Sequence, residues 1–298
     1  MKLKIKYIQE IYSEEIKKIW YIIKIGGVYM YIKTSSQQLI QQSICEVLNI
    51  NKEEIDDLLE TSYKFQKDHS IFILDDQYDY FMDYVKEHLC INIDYVSFYH
   101  LSRRLNDNKG DNGYNLDNVL CNDTSLSRFL KRYGFTFKHD QYIRMYLNEK
   151  EINLNESNDY SSIFLRQILG YNYQDYSFKG FAFSDAIEKN EIYEIVKDGP
   201  ELFGYLFSFV NSDELLEDFI FNSKFYKFEY LVPIEQIYFE NYEELTNEEK
   251  QYHIVVKSLQ RLYAYKYDSV DYDDDNPVIG MIDDLTLGSQ YLVSKTEI

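Results

Sequence analysis

Apolar positions along this chain change their spacing several times, and each change marks an element. Between Ser35 and Lys64 the residues Leu39, Ile40, Ile44, Val47, Leu48, Ile55, Leu58 and Leu59 recur at three- and four-residue intervals. That spacing predicts helices with one buried stripe. Asn51 stands three residues before Glu54, a spacing that predicts a reciprocal cap at the start of a second helix. Upstream, residues 16–33 read as two apolar strands around Gly26-Gly27, a pair suited to the positive φ angles of a tight hairpin. Residues 1–90 are therefore expected to form a small α+β module.

The segment 91–99, INIDYVSFY, reads as a strand ending at His100, and NDNKGDNGYN over 106–115 reads as a flexible loop. Short helices are expected over Ser125–Tyr133, closed by Gly134 in a left-handed cap, and over 159–169. Residues 171–183 are rich in aromatic and turn residues. A longer amphipathic helix is expected over 200–220, opened by Pro200. Tyr226–Val232 reads as a strong strand that Pro233, which lacks a ladder donor, brings to an edge or an end. A helix is expected over 246–266, and YDDDN at 272–276 reads as a solvated loop, with a metal site as the minor alternative. Strands separated by loops and short helices, without regular strand–helix alternation, predict an α+β fold. In it, 95–240 is expected to form two facing, mainly antiparallel sheets around a cleft.

Charge narrows the function classes. The chain has 31 basic and 51 acidic residues, a formal net charge of −20. A field of that sign repels phosphate backbones and argues against binding nucleic acid over the whole surface. Segment 97–144 departs from it, with eight Lys/Arg against five Asp/Glu. Cys45, Cys90 and Cys121 are odd in number and widely spaced, so they suggest neither a disulfide framework nor a zinc site. No secretory leader is legible at the N-terminus, and apolar residues nowhere run on for a membrane-spanning length of about 18. The cytoplasm is the expected location. The 31 Tyr and 19 Phe fit an AT-rich coding bias better than a functional aromatic excess.

Three separated motifs carry candidate chemistry. The first is Tyr99-His100-Leu101-Ser102-Arg103-Arg104, followed by Asn115-Leu116-Asp117-Asn118-Val119-Leu120. The second is Gly180-Phe181-Ala182-Phe183-Ser184-Asp185, running on to Asn190 and Tyr193. The third is Phe228-Glu229-Tyr230-Leu231-Val232-Pro233-Ile234-Glu235-Gln236-Ile237. Glu229 is unusual on an apolar strand, because an unpaired buried carboxylate is costly. Period-two alternation offers the other reading, in which it faces solvent.

In this order the motifs resemble the H-G-S … N-x-x-x-I-L, G-I-Y-F-A-D … S-x-x-Y and E-Y-I-V elements of the ADP-ribosyltransferase superfamily. The likeness is to its poly(ADP-ribose) polymerase-like and bacterial mono-ADP-ribosyltransferase branches. The resemblance implies an NAD-dependent transferase domain over 91–298 with a helical C-terminal extension. It implies that Glu229 stabilises the oxocarbenium charge on the ribose and that His100 holds that ribose. Ser102, Phe181, Asn190 and Tyr193 would flank or bind the nicotinamide, and Arg103 or Arg104 would bond the pyrophosphate. Ala182 stands where the family has a Tyr, leaving Tyr171 or Phe181 to supply that ring. The acceptor would be a protein or nucleic acid, and a toxin or phage-defence role would fit. No resident metal and no membrane are implied. Two rival readings are an acidic, non-enzymatic interaction protein that mimics nucleic acid or inhibits a partner, and a degenerate transferase that only binds NAD-like ligands.

Overall fold

The computed structural model describes residues 30–69, 74–108, 110–210, 214–242, 244–268, 273–282 and 286–298. Most of the hairpin expected over 16–33 lies outside these residues. The chain begins with a short strand β1 (Tyr31–Ile32) and helices α1 (Gln37–Leu48), α2 (Lys52–His69) and α3 (Leu74–His88). At α2 the backbone N–H of Glu54 donates to Asn51 Oδ1 at 3.0 Å and that of Asn51 donates to Glu54 Oε2 at 2.7 Å. This is the reciprocal cap that the sequence predicts.

The long strand β2 (Tyr95–Leu105) follows, then helices α4 (Leu116–Cys121) and α5 (Ser125–Arg132) and the strands β3 (Phe135–His139), β4 (Ile143–Leu147) and β5 (Lys150–Glu151). Gly134, just past α5, has φ +87°, a conformation that glycine reaches without steric cost. Helix α6 (Tyr160–Ile168), strand β6 (Lys179–Phe181) and helices α7 (Glu191–Asp198), α8 (Glu201–Val210) and α9 (Glu214–Phe221) come next. The single helix expected over 200–220 is thus two helices. Strands β7 (Ser223–Pro233) and β8 (Ile237–Phe239), helix α10 (Asn247–Tyr267) and strands β9 (Val278–Met281) and β10 (Leu292–Glu297) complete the chain.

The fold is α+β. Seven strands form one sheet in the order β10-β7-β2-β6-β9-β8, with β1 pairing in parallel beside the start of β2. Its longest ladder is the antiparallel pair β2–β7, in register from Tyr95↔Pro233 to Leu105↔Ser223. Gly180 lets β6 close on β2, since a Cβ there would lie 2.5 Å from the Tyr99 carbonyl oxygen. Strands β3-β4-β5 form a separate antiparallel sheet. The two sheets contribute to separate apolar clusters. The large sheet packs against α1–α3 and α10 in one apolar cluster. The small sheet joins α5, α8 and α9 in another, to which Leu105 is the large sheet's contribution. The helices of the expected 1–90 module therefore share their core with the C-terminal half of the chain.

In the acidic run after α10, Asp274 and Asp275 are exposed as a solvated loop would have them, and Asp273 is not. Asp273 is fully buried and pairs with Arg261 Nη2 at 2.5 Å, while Arg261 also grips both carboxylate oxygens of Asp185 at 3.0 Å. Asn276 donates to Asp273 and to the Phe183 carbonyl. This network ties the segment after β6 to α10. Such a network is stable only while complete, because loss of one partner leaves a buried charge uncompensated.

Candidate active site

Directly opposed residues in an antiparallel ladder project to the same face, and successive residues alternate. Tyr99 lies opposite Glu229 on β7 and opposite Phe181 on β6. Glu229, Tyr99 and Phe181 therefore form a row across three neighbouring strands. These are the strands of the third, first and second motifs, brought together from 130 residues of sequence separation.

Glu229 is half-buried and held from two sides. Ser294 on β10 donates to its Oε2 at 2.8 Å, and the Tyr99 hydroxyl reaches its Oε1 at a long 3.5 Å. Tyr99 itself is 1% exposed. Burial, then the charge of Glu229, pushes its phenol above the ordinary tyrosine range, while hydrogen bonds with Thr34, Ser184 and Ser97 act the other way. Tyr31, on β1, is also raised by burial and then by Glu229. A carboxylate set among hydroxyls results. Further along the same face, Phe181 packs with Tyr99, Leu101, Ile187 and Phe225, and Tyr193 from α7 packs on this cluster. Tyr193 meets the Phe225 ring edge-on at 5.4 Å.

His100 is elsewhere. One residue along β2 from Tyr99, it is paired with Phe228 and projects to the opposite face. Its ring packs 4.2 Å from that of Phe178, and its Nδ1 lies 2.8 Å from the Lys179 carbonyl oxygen. A carbonyl only accepts, so Nδ1 carries the proton and Nε2 the lone pair. Burial, and then the charge of Arg104, pushes the His100 pKa down to about 3. The ring is neutral, and it does not meet Glu229. Ser102 and Arg104 share this opposite face, because they follow His100 at period two.

The remaining expected site residues lie on the Glu229 side but are committed to structure. Arg103 donates from Nε to Ser223 Oγ at 3.0 Å, from Nη1 to the Lys197 carbonyl at 2.8 Å and from Nη2 to the Ile220 carbonyl at 3.2 Å. It satisfies carbonyls in the last turns of α7 and α9, as a cation at a helix C-terminus does, and is not available to a pyrophosphate. Asn190 caps α7 by accepting from the Ile192 N–H at 3.0 Å and donates its amide to the Asp273 carbonyl at 2.7 Å. It is buried, and the expected bond to a carboxamide has no free group to form it. Ala182 is buried in the main core. Tyr171 packs against Tyr142 at 3.8 Å in the other cluster, so Phe181 is the ring nearer Glu229.

The structure thus brings together Glu229, Phe181 and Tyr193 and separates them from His100, Ser102 and Arg104. Tyr99, Tyr31 and Ser294 are the neighbours of Glu229 that the three motifs do not assign to it. Cavities of about 360 and 310 Å³ lie by Arg128 and Arg132 and by Pro200 and Tyr205, and neither is lined by Glu229. Among the described residues no group of three His, Cys, Asp or Glu side chains is arranged to hold a metal ion, and no helix is long and apolar enough to cross a membrane. Comparison with known proteins finds no matching family model, no matching curated protein and no matching solved structure.

Proposed function

We propose that this chain is an NAD-dependent ADP-ribosyltransferase that works on the Glu229 face of the sheet, with Tyr99 in the position expected of His100. One observation carries the reading: the strands of all three motifs are neighbours, with Glu229, Tyr99 and Phe181 in lateral register. NAD is a substrate here. The nicotinamide–ribose bond breaks with its electron pair leaving on nicotinamide, and the ribose carbon gains oxocarbenium character. The Glu229 carboxylate, oriented by Ser294 and Tyr99, opposes that charge. Phe181 and Tyr193 supply aromatic surface for the leaving ring. A nucleophile of a protein or nucleic acid then takes the ADP-ribosyl group and gives its proton to solvent. A cytoplasmic toxin or phage-defence effector fits this activity.

The test is NAD consumption and acceptor labelling by Glu229→Gln against Glu235→Gln. Glu235 is exposed on the turn after β7 and serves as control. Loss of one preorganised charge costs about 10²–10³ in rate, roughly 3–4 kcal/mol of barrier, so Glu229→Gln should lose that much and Glu235→Gln nothing. NAD binding should change far less, because the opposed charge is largest in the transition state. Equal activity in the two variants refutes the assignment.

A second reading, an acidic interaction protein, is favoured by the near-complete burial of Tyr99 and by the two cavities lying away from Glu229. It predicts no rise in melting temperature with NAD, whereas a ligand that binds the folded state raises it.

A further inference from the structure

Arginines near β2 are, with one exception, answered by partners. Arg103 is saturated by carbonyls, and Arg128 and Arg132 pair with Asp123 and Asp218 at 3.0 and 3.4 Å. Arg104 is the exception. Among the described residues its guanidinium makes no hydrogen bond or ion pair, and its Nε is sealed from solvent without a partner. Its contact is the Phe228 ring, 5.1 Å from the guanidinium carbon. A guanidinium stays protonated in proteins, and a donor sealed from water without an acceptor is unfavourable. A cation–π contact offsets part of this cost, but it leaves the in-plane donors unused.

The surroundings repeat the same imbalance. Lys295 lies over the same Phe228 ring at 5.3 Å and over Tyr226 at 4.4 Å. Asp111 is the carboxylate beside both cations, and it is taken by Lys295 at 2.8 Å. The Tyr230 hydroxyl is spent on the Asp111 carbonyl at 2.7 Å. Two cations and one carboxylate leave a local excess of positive charge in a chain of −20.

We propose that Arg104, with Lys295, forms an oxyanion site on the sheet face opposite Glu229, and that this site takes a phosphoryl group. A guanidinium fork and an ammonium, both lying against the Phe228 ring, offer several donors. That suits a tetrahedral oxyanion with several acceptor oxygens better than a planar carboxylate with two. The site does not depend on the transferase reading, since β2 turns Arg104 away from Glu229.

The test is the melting temperature of the full chain in rising inorganic phosphate, against sodium chloride of matched ionic strength, with calorimetric titration of phosphate alongside. Phosphate should stabilise the wild type beyond chloride. Arg104→Gln should weaken phosphate binding on the order of tenfold, the scale of one charge-assisted hydrogen bond. Should Arg104→Gln fail to fold, Lys295→Met on the edge strand β10 decides instead, with a several-fold weakening expected. Glu229→Gln should bind phosphate as the wild type does, whatever its activity. Phosphate no better than chloride, acetate as effective as phosphate, or undiminished binding in the deciding variant overturns the proposal.

Discussion

On one face of the β2–β7 ladder Phe98, Phe228, Tyr230 and Val232 are sealed into the main core, with His100 packed neutral against Phe178. On the other, Lys227, Glu229 and Leu231 remain half-exposed, and the burial that exists comes from a small cluster under α7. The same two strands supply both faces. What differs is what covers them: helices with continuous apolar stripes on one side, and on the other one short helix held by polar anchors. The half-exposed carboxylate belongs to the second face, and the first is packed except toward Arg104 and Lys295. The difference teaches that the parity of a residue on β2 decides its role more strongly than its chemical type.

The largest expected effect concerns the network that ties the segment after β6 to α10. Arg261→Met removes the partner of two buried carboxylates, Asp185 and Asp273. Breaking such a buried network by one partner costs about 3–5 kcal/mol, read as a drop in the denaturation midpoint. A loss below about 1 kcal/mol, the median worth of an exposed pair, would mean that the network behaves like a surface one. Asn190→Ala comes next. It removes the α7 cap and a buried bond to Asp273, a loss of about 1–2 kcal/mol. Its NAD affinity should follow stability alone; a selective loss of NAD binding would restore Asn190 to ligand recognition and blur the comparison.

The smallest effect is on pH dependence. His100, and likewise His253, has its pKa pushed down to about 3, mainly by burial. In the unfolded chain each takes up a proton near pH 6.5. Between about pH 6.5 and 3 the unfolded state binds more protons, so stability present above this window is lost as pH falls through it. His100→Asn, which keeps a donor for the Lys179 carbonyl, should flatten that slope by the share of one proton. An unchanged slope would place the His100 ring in solvent, against its assignment to the packed face.

Much of this fold was legible in the chain. The stripe from Leu39 to Leu59, the cap at Asn51 and the strand ended by Pro233 follow from local spacing and turn chemistry, which act within a few residues. The division into α8 and α9 was not legible, because the apolar spacing of 200–220 runs on through both. Asp273 was misread because its buried partner, Arg261, lies 12 residues away on α10, and composition alone sees only a charge run. The site was half legible. Glu229, Phe181 and Tyr193 fall on one face, but choosing His100 over Tyr99 required a parity that β2 does not disclose. Tyr95, Ser97, Tyr99 and Leu101 alternate with Val96, Phe98 and His100, and both rows are largely apolar. Only the pairing of Tyr99 with Glu229 and Phe181 shows which row meets the carboxylate. Ser294 was invisible for the same reason, since it reaches Glu229 from a strand 65 residues away.

The proposed transferase site has Tyr99 and not His100 in the row beside Glu229. That proposal is tested most directly by nicotinamide release at saturating NAD from two conservative variants, Tyr99→Phe and His100→Asn, with melting temperatures recorded alongside. Tyr99→Phe keeps the buried ring and deletes only the hydroxyl that reaches Glu229. A hydrogen bond to a charged group is worth about 1.5–3 kcal/mol, so its turnover should fall roughly 10–100-fold. His100→Asn should turn over as the wild type does. The reverse pattern, with His100→Asn inactive and Tyr99→Phe unaffected, would contradict the account.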